Sequence, residues 1–129
     1  FLANNLKLAV NLNLDGVYIP SFNKKIIPKK SIKKDFYILG SAHNLREISE
    51  KRKQGVDFLF ISPIFKIKKK KIFLGPSKYN ILAYHFNNRT VALGGINKVN
   101  INMIKKINCY GFASISYIEK HKINGQRSY

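Results

Sequence analysis

Carboxylates are scarce in this 129-residue sequence: six Asp and Glu stand against 24 Lys and Arg, giving a formal charge of +18. Cysteine occurs once, at Cys109, which excludes an internal disulfide and fits a reducing compartment. The three histidines, His43, His85 and His121, form no cluster with that thiol at zinc-ligand spacing, so zinc is excluded. No apolar run approaches the roughly 20 residues of a membrane span, and the N-terminus lacks the charged-then-apolar order of a secretory signal. A cytoplasmic protein without a membrane partner is expected.

The positive excess invites a nucleic-acid reading, because lysines that neutralise phosphates release counterions and give sequence-blind affinity. Its distribution argues otherwise. Twenty of the 24 basic residues are Lys, accompanied by 18 Ile and 14 Asn, the composition of an A/T-rich coding sequence. The lysines spread over every segment instead of forming a stripe. Such charge acts on solubility and encounter rates, and a local anionic ligand is a better expectation than DNA or RNA.

What is present is alternation. Val56-Asp57-Phe58-Leu59-Phe60-Ile61-Ser62-Pro63-Ile64-Phe65 is apolar without a two-residue period, as strands covered on both faces are. Strands are expected to begin near residues 16, 36, 57, 90 and 112. Between them lie helices over 2–13 and from Asn44 to Gly55, another opening at Gly75-Pro76-Ser77, and one behind Asn100 with Ile101, Met103, Ile104 and Ile107 inward. Asn44 and Glu47 have capping-box spacing. Tyr79, Leu82, Ala83 and Phe86 recur at helical spacing, and Asn87-Asn88 ends that helix. A weak helix is expected around 26–32, and a frayed tail over 119–129. This order demands a mostly parallel α/β sheet. Five strands fit either an open doubly wound sheet or the back part of an eight-stranded barrel, and periodicity leaves both open.

In such folds ligands sit at the carboxyl ends of the strands. Gly94-Gly95 follows one strand and Ser114-Ile115-Ser116 ends the next. Backbone N–H groups of two such neighbouring bends form a phosphate cradle that needs no side chain. His43, at the end of a strand and the start of a helix, is either a base or a hydrogen-bonded structural residue; His85 and His121 read as surface residues.

Five segments carry a more specific signal: Asp15-Gly16-Val17-Tyr18-Ile19, Ile38-Leu39-Gly40-Ser41-Ala42-His43-Asn44, the stretch 55–65, Ala92-Leu93-Gly94-Gly95-Ile96-Asn97 and Gly111-Phe112-Ala113-Ser114-Ile115-Ser116. In that order and spacing, across residues 4–118, the sequence resembles thiamine phosphate synthase and its TenI-like thiazole tautomerase relatives. The resemblance implies an incomplete (βα)8 TIM barrel holding strands four to eight in one domain, 1–129, with at most a stub of strand three before Asn4. It implies coupling of hydroxymethylpyrimidine pyrophosphate to thiazole phosphate, with release of pyrophosphate. Gly95, Ile115 and Ser116 would hold the thiazole phosphate, Ser41 would lie beside the pyrimidine and pyrophosphate, and Lys70 would contact pyrophosphate.

The same resemblance implies Mg2+, yet the family's two metal aspartates fall at Asn4 and Asn23, and neutral amides are poor partners for that hard cation. The strand-four histidine is Tyr18, and the threonines of the family's lysine-closed loop are Ile67 and Lys69. Lysines 66 and 68–71 offer an alternative source of charge neutralisation. Two readings are therefore carried, a synthase-type transferase and a TenI-like phosphate-binding relative without the metal site. Phe1-Leu2-Ala3 reads as an apolar run entered midway, so an incomplete start is expected, and with it exposed strand edges that favour self-association.

Overall fold

The computed structural model describes residues 1–114 of the chain. Six strands lie in one sheet in sequence order, every adjacent pair parallel: β1 Leu2–Ala3, β2 Gly16–Ile19, β3 Tyr37–Ala42, β4 Phe58–Ile61, β5 Thr90–Leu93 and β6 Gly111–Ala113. Helices α1 Leu6–Asn11, α2 Leu45–Lys53, α3 Gly75–Tyr84 and α4 Ile101–Ile104 connect them. This is the parallel α/β alternation that the sequence implies. The expected last strand runs to Ser116, and its end, like the tail and His121, lies outside the described residues.

Pleating divides the strand residues between two faces. Val17, Ile19, Ile38, Ala42, Leu59, Ile61 and Ala92 share one face and are buried, in one cluster with Ala9, Ile48, Tyr79, Leu82, Ala83 and Ile104 of the helices. Burying a side chain such as Leu59 or Ile61 stabilises the fold by about 1.5–3 kcal/mol. Tyr18, Leu39, Phe58, Phe60, Val91 and Leu93 occupy the other face and are only half-buried. Tyr18 and Phe60 meet there edge to face, ring centroids 6.1 Å apart. The sheet therefore has one helix-packed face and one open apolar face.

Helix ends follow local rules. Asn5 Oδ1 accepts the Leu8 N–H at 3.1 Å and starts α1 only after Leu2–Ala3 has paired as β1, so the helix is shorter than the 2–13 expected. Tyr79, Leu82, Ala83 and Phe86 are all buried. Asn87 and Asn88, at φ 54° and 58°, end that helix in the left-handed region that Asn tolerates. Gly55 at φ +73° ends α2 with the Val56 N–H closing onto Lys51 O at 3.2 Å.

One expected helix does not form. Residues 26–32 hold only a 3-10 turn at Lys29–Ser31. Pro28 removes a donor, and Lys25, Lys29 and Lys33 recur at i, i+4 spacing, where like charges on one helical face repel. The segment also has no two-turn apolar stripe: Ile27 is buried while Ile26 is 90% exposed.

Candidate functional site

Because all strands run the same way, their carboxyl ends share one rim. Gly94 and Gly95 follow β5 at φ 101° and 70°, a conformation that favours glycine. Space demands glycine too. A Cβ on Gly94 would stand 2.9 Å from Pro63 Cα, and one on Gly95 would stand 2.6 Å from Lys66 O and 2.7 Å from Phe65 O. Hydrogen bonds from Ile64 N–H to Leu93 O (3.0 Å) and Phe65 N–H to Gly94 O (3.1 Å) seal the two loops together. The base of the lysine run, residues 66–71, is thereby fixed against the glycine turn.

The turn is held from its other side by asparagines. Asn100, expected as a helix cap, makes no side-chain cap bond. Its Oδ1 accepts the Asn97 N–H at 2.8 Å and its Nδ2 donates to Gly95 O at 2.8 Å, so it clamps the loop instead. Asn97 Oδ1 in turn accepts the Val99 and Asn100 N–H groups. Buried Ser114 donates from Oγ to Ile96 O at 2.8 Å, joining the end of β6 to this loop. Ile115 and Ser116, the other expected phosphate contacts, lie outside the described residues.

Ser41 lies on β3 opposite Phe60 of β4, on the open face, and is 7% exposed. Lys70 is exposed in the lysine turn, its N–H donating to Ile67 O at 3.3 Å. No contact joins Ser41 to Lys70 among the described residues. His43 is occupied: Glu47 Oε2 accepts its backbone N–H at 2.6 Å and lies 2.9 Å from its Nδ1. Asn44 Oδ1 accepts the Glu47 N–H at 3.0 Å, so the capping box closes with its return bond shifted one residue, onto His43. His85 is exposed.

The structure brings Asn4 and Asn23 together. Asn4, just past β1 at φ 55°, accepts at Oδ1 from Asn23 Nδ2 at 2.6 Å. Two buried side chains hold the loop that carries Asn23. Lys51 Nζ donates to Asn23 O (2.7 Å) and Gln54 Oε1 (2.8 Å), and Gln54 Nε2 donates to Asn23 O (2.9 Å) and Lys25 O (2.8 Å). Burial lowers the Lys51 pKa, and the carboxylates of Glu50 and Glu47 act the other way. A lysine is not expected in a core, yet the i+3 spacing of Lys51 from Ile48 puts it on the inward side of α2. Leu45, at the start of α2, is half exposed.

Between α1 and this loop lies a cavity of about 820 Å³, lined by Leu6, Val10, Ile19 and Ile27 with Lys7, Lys24 and Lys25 among its polar residues. Ile19 belongs to the helix-packed face, so the cavity is on the helix side of the sheet, where the missing helix would have packed. It is separate from the open face that carries Ser41.

The rim does not fit a magnesium ion. Mg2+ is held through carboxylate oxygens and water, and Asn4 and Asn23 use their facing atoms on each other. No group of three or more His, Cys, Asp or Glu side chains able to hold a metal occurs among the described residues. No helix among them is long and apolar enough to cross a membrane.

Comparison with known proteins gives a consistent likeness. A family model described as thiamine monophosphate synthase matches residues 1–118. The thiamine-phosphate synthase of Prochlorococcus marinus is 34% identical over 122 residues, covering 92% of this chain and 35% of that protein. The putative thiamine-phosphate synthase 2 of Aquifex aeolicus is 33% identical over 120 residues, covering 84% of this chain and 60% of that one. A solved structure, thiamine phosphate pyrophosphorylase from Pyrococcus furiosus, shares the fold with a TM-score of 0.66 at 24% identity, over 88% of this chain and 55% of that one. The chain thus spans between 35% and 60% of the length of these relatives.

Proposed function

The chain belongs to the thiamine monophosphate synthase family, and we propose that it serves the transfer that joins hydroxymethylpyrimidine pyrophosphate to thiazole phosphate in thiamine biosynthesis. One carbon–oxygen bond to pyrophosphate is exchanged for a bond to the thiazole, and pyrophosphate leaves. The protein's task is to seat two phosphorylated groups and to neutralise charge on the leaving one. In this reading the thiazole phosphate is held by Gly95, Ile115 and Ser116, Ser41 lies beside the pyrimidine, and Lys70 with its neighbouring lysines meets the pyrophosphate. The substrates are small and phosphorylated, with no nucleic acid, and the setting is cytoplasmic.

The single observation carrying this is the junction at the β5 and β6 ends. There the Gly94-Gly95 turn is locked against the root of the lysine loop and tied to β6 by Ser114. A phosphate site between the loops after two consecutive strands is a habit of (βα)8 barrels. We read the sheet as part of such a barrel, strands four to eight preceded by a stub of strand three. The half-buried row Tyr18, Leu39, Phe58, Phe60, Val91 and Leu93 supports this, being apolar enough to line a barrel interior. An uncovered apolar face of this kind favours self-association.

The Asn4–Asn23 bridge favours a second reading, a TenI-like phosphate-binding relative that does not turn over. Incubating the protein with both substrates and measuring thiamine phosphate separates the two. Product formation that falls by about tenfold in Lys70→Ala, the scale of one charge-assisted contact, supports the transferase. Binding of thiazole phosphate without product supports the relative.

A further inference from the structure

The two positions at which the family resemblance places metal aspartates form a closed amide pair, and its polarity is fixed by the backbone. Asn23 Oδ1 accepts the Lys25 N–H at 2.9 Å, so the other end of that amide, Nδ2, must face Asn4. Asn4 consequently presents Oδ1 to Asn23 at 2.6 Å and turns its own Nδ2 away. Each oxygen of the pair already accepts a hydrogen bond. What remains outward is an N–H donor, which matches an anion's oxygen and opposes a cation.

The surroundings have the same sign. Asn4 and Asn23 line the cavity beside α1 together with Lys7, Lys24 and Lys25, and no Asp or Glu is among the lining residues. The Glu50 carboxylate is taken up by cations, its Oε1 3.4 Å from Lys24 Nζ and 3.8 Å from Arg46 Nε. Lys51 brings a further ammonium to the Asn23 carbonyl. Two carboxylates at this spacing would need a cation or a shared proton between them; two amides need neither.

We propose that this end of the sheet works without a divalent cation: the Asn4–Asn23 hydrogen bond replaces metal as the tie between β1 and the loop after β2, and the pyrophosphate, met by Lys70 and its neighbours in the functional reading above, is bound without metal. The second half of this inference rests on the functional reading above; the first does not.

Mn2+ binding, followed by the loss of the free-ion electron paramagnetic resonance signal, tests the pair on the unaltered protein. The expected result is no uptake by the wild type and an affinity gain of about tenfold or more in the Asn4→Asp/Asn23→Asp variant, as carboxylates replace amides. Uptake by the wild type that disappears in Asn4→Ala or Asn23→Ala overturns the proposal, with melting curves reporting that each variant is folded. Calorimetric titration with inorganic pyrophosphate in EDTA and in Mg2+ tests the anion. Equal affinity within about twofold, less than 0.5 kcal/mol, supports the proposal, and binding only in Mg2+ overturns it. If neither pyrophosphate nor thiazole phosphate binds in either buffer, the functional reading falls, and the Mn2+ result alone decides the amide pair.

Discussion

Gly75 and Gly95 have nearly the same backbone conformation, φ 75° and 70°, in different surroundings. Around Gly75 nothing lies within 4 Å of an added Cβ, whereas at Gly95 three backbone atoms of Phe65 and Lys66 lie within 2.8 Å. Alanine in the left-handed region costs about 1–2 kcal/mol at either position. At Gly95 the methyl must also push aside two carbonyls already fixed by the seal between the loops, which adds about 1–3 kcal/mol on the scale of overpacked sites. Gly95→Ala is therefore expected to lose about 2–5 kcal/mol and Gly75→Ala about 1–2. At roughly 4 °C per kcal/mol for a domain of this size, Tm falls by about 8–20 °C and about 4–8 °C respectively. Urea unfolding followed by circular dichroism reads both. Equal losses within about 0.5 kcal/mol, the limit at which independent effects are distinguished, would refute the steric argument and with it the claim that the lysine loop is built against the glycine turn.

Other expectations follow from single contacts. Asn44→Ala removes the Oδ1 bond to the Glu47 N–H and is expected to cost about 1 kcal/mol in thermal unfolding; an unchanged Tm would mean that the cap contributes nothing. Tyr79 OH and Thr90 Oγ1 lie 2.7 Å apart with both residues fully buried, so Tyr79→Phe leaves a buried hydroxyl short of a partner and costs about 1–2 kcal/mol at pH 7. Burial raises the Tyr79 pKa, so the folded state keeps its proton where the unfolded chain releases it, from about pH 10 upward. The wild type is expected to lose stability relative to Tyr79→Phe as pH climbs past that point, and a constant difference up to pH 12 would contradict it. Lys51→Met keeps the stem but removes the ammonium bonded to Asn23 O and Gln54 Oε1. Gln54 Oε1 is left buried without that donor, so stability is expected to fall by about 1–3 kcal/mol while amide exchange in the loop 22–28 accelerates; unchanged exchange would show that Lys51 does not hold that loop.

Much of this molecule is legible in the sequence because its strands and helices bury continuous or periodic apolar residues. Thr90–Leu93 and the Tyr79, Leu82, Ala83, Phe86 stripe fall where spacing puts them. Over residues 26–32 the isoleucines suggest a weak helix, which Pro28 and the repeated lysines forbid. At the site, the glycine pair was recognised as conformationally special, but its crowding by Phe65 and Lys66 depends on a loop 30 residues upstream, which no local pattern reports. Asn100 was read as a cap from its position, while its hydrogen bonds go to the glycine turn. Family resemblance marks Asn4 and Asn23 as the two metal-aspartate positions, while their direct hydrogen bond and its polarity are seen only in the structure.

The proposed phosphate site lies at the carboxyl ends of β5 and β6 and uses backbone N–H groups. Titrating the isotope-labelled protein with thiazole phosphate and following its amide resonances tests this most directly. The largest shifts are expected on residues 94–97 and 114–116, with smaller ones along the lysine loop. Shifts confined to Asn4, Lys7 and Lys24 at the helix-side cavity, with Gly95 unmoved, would contradict it.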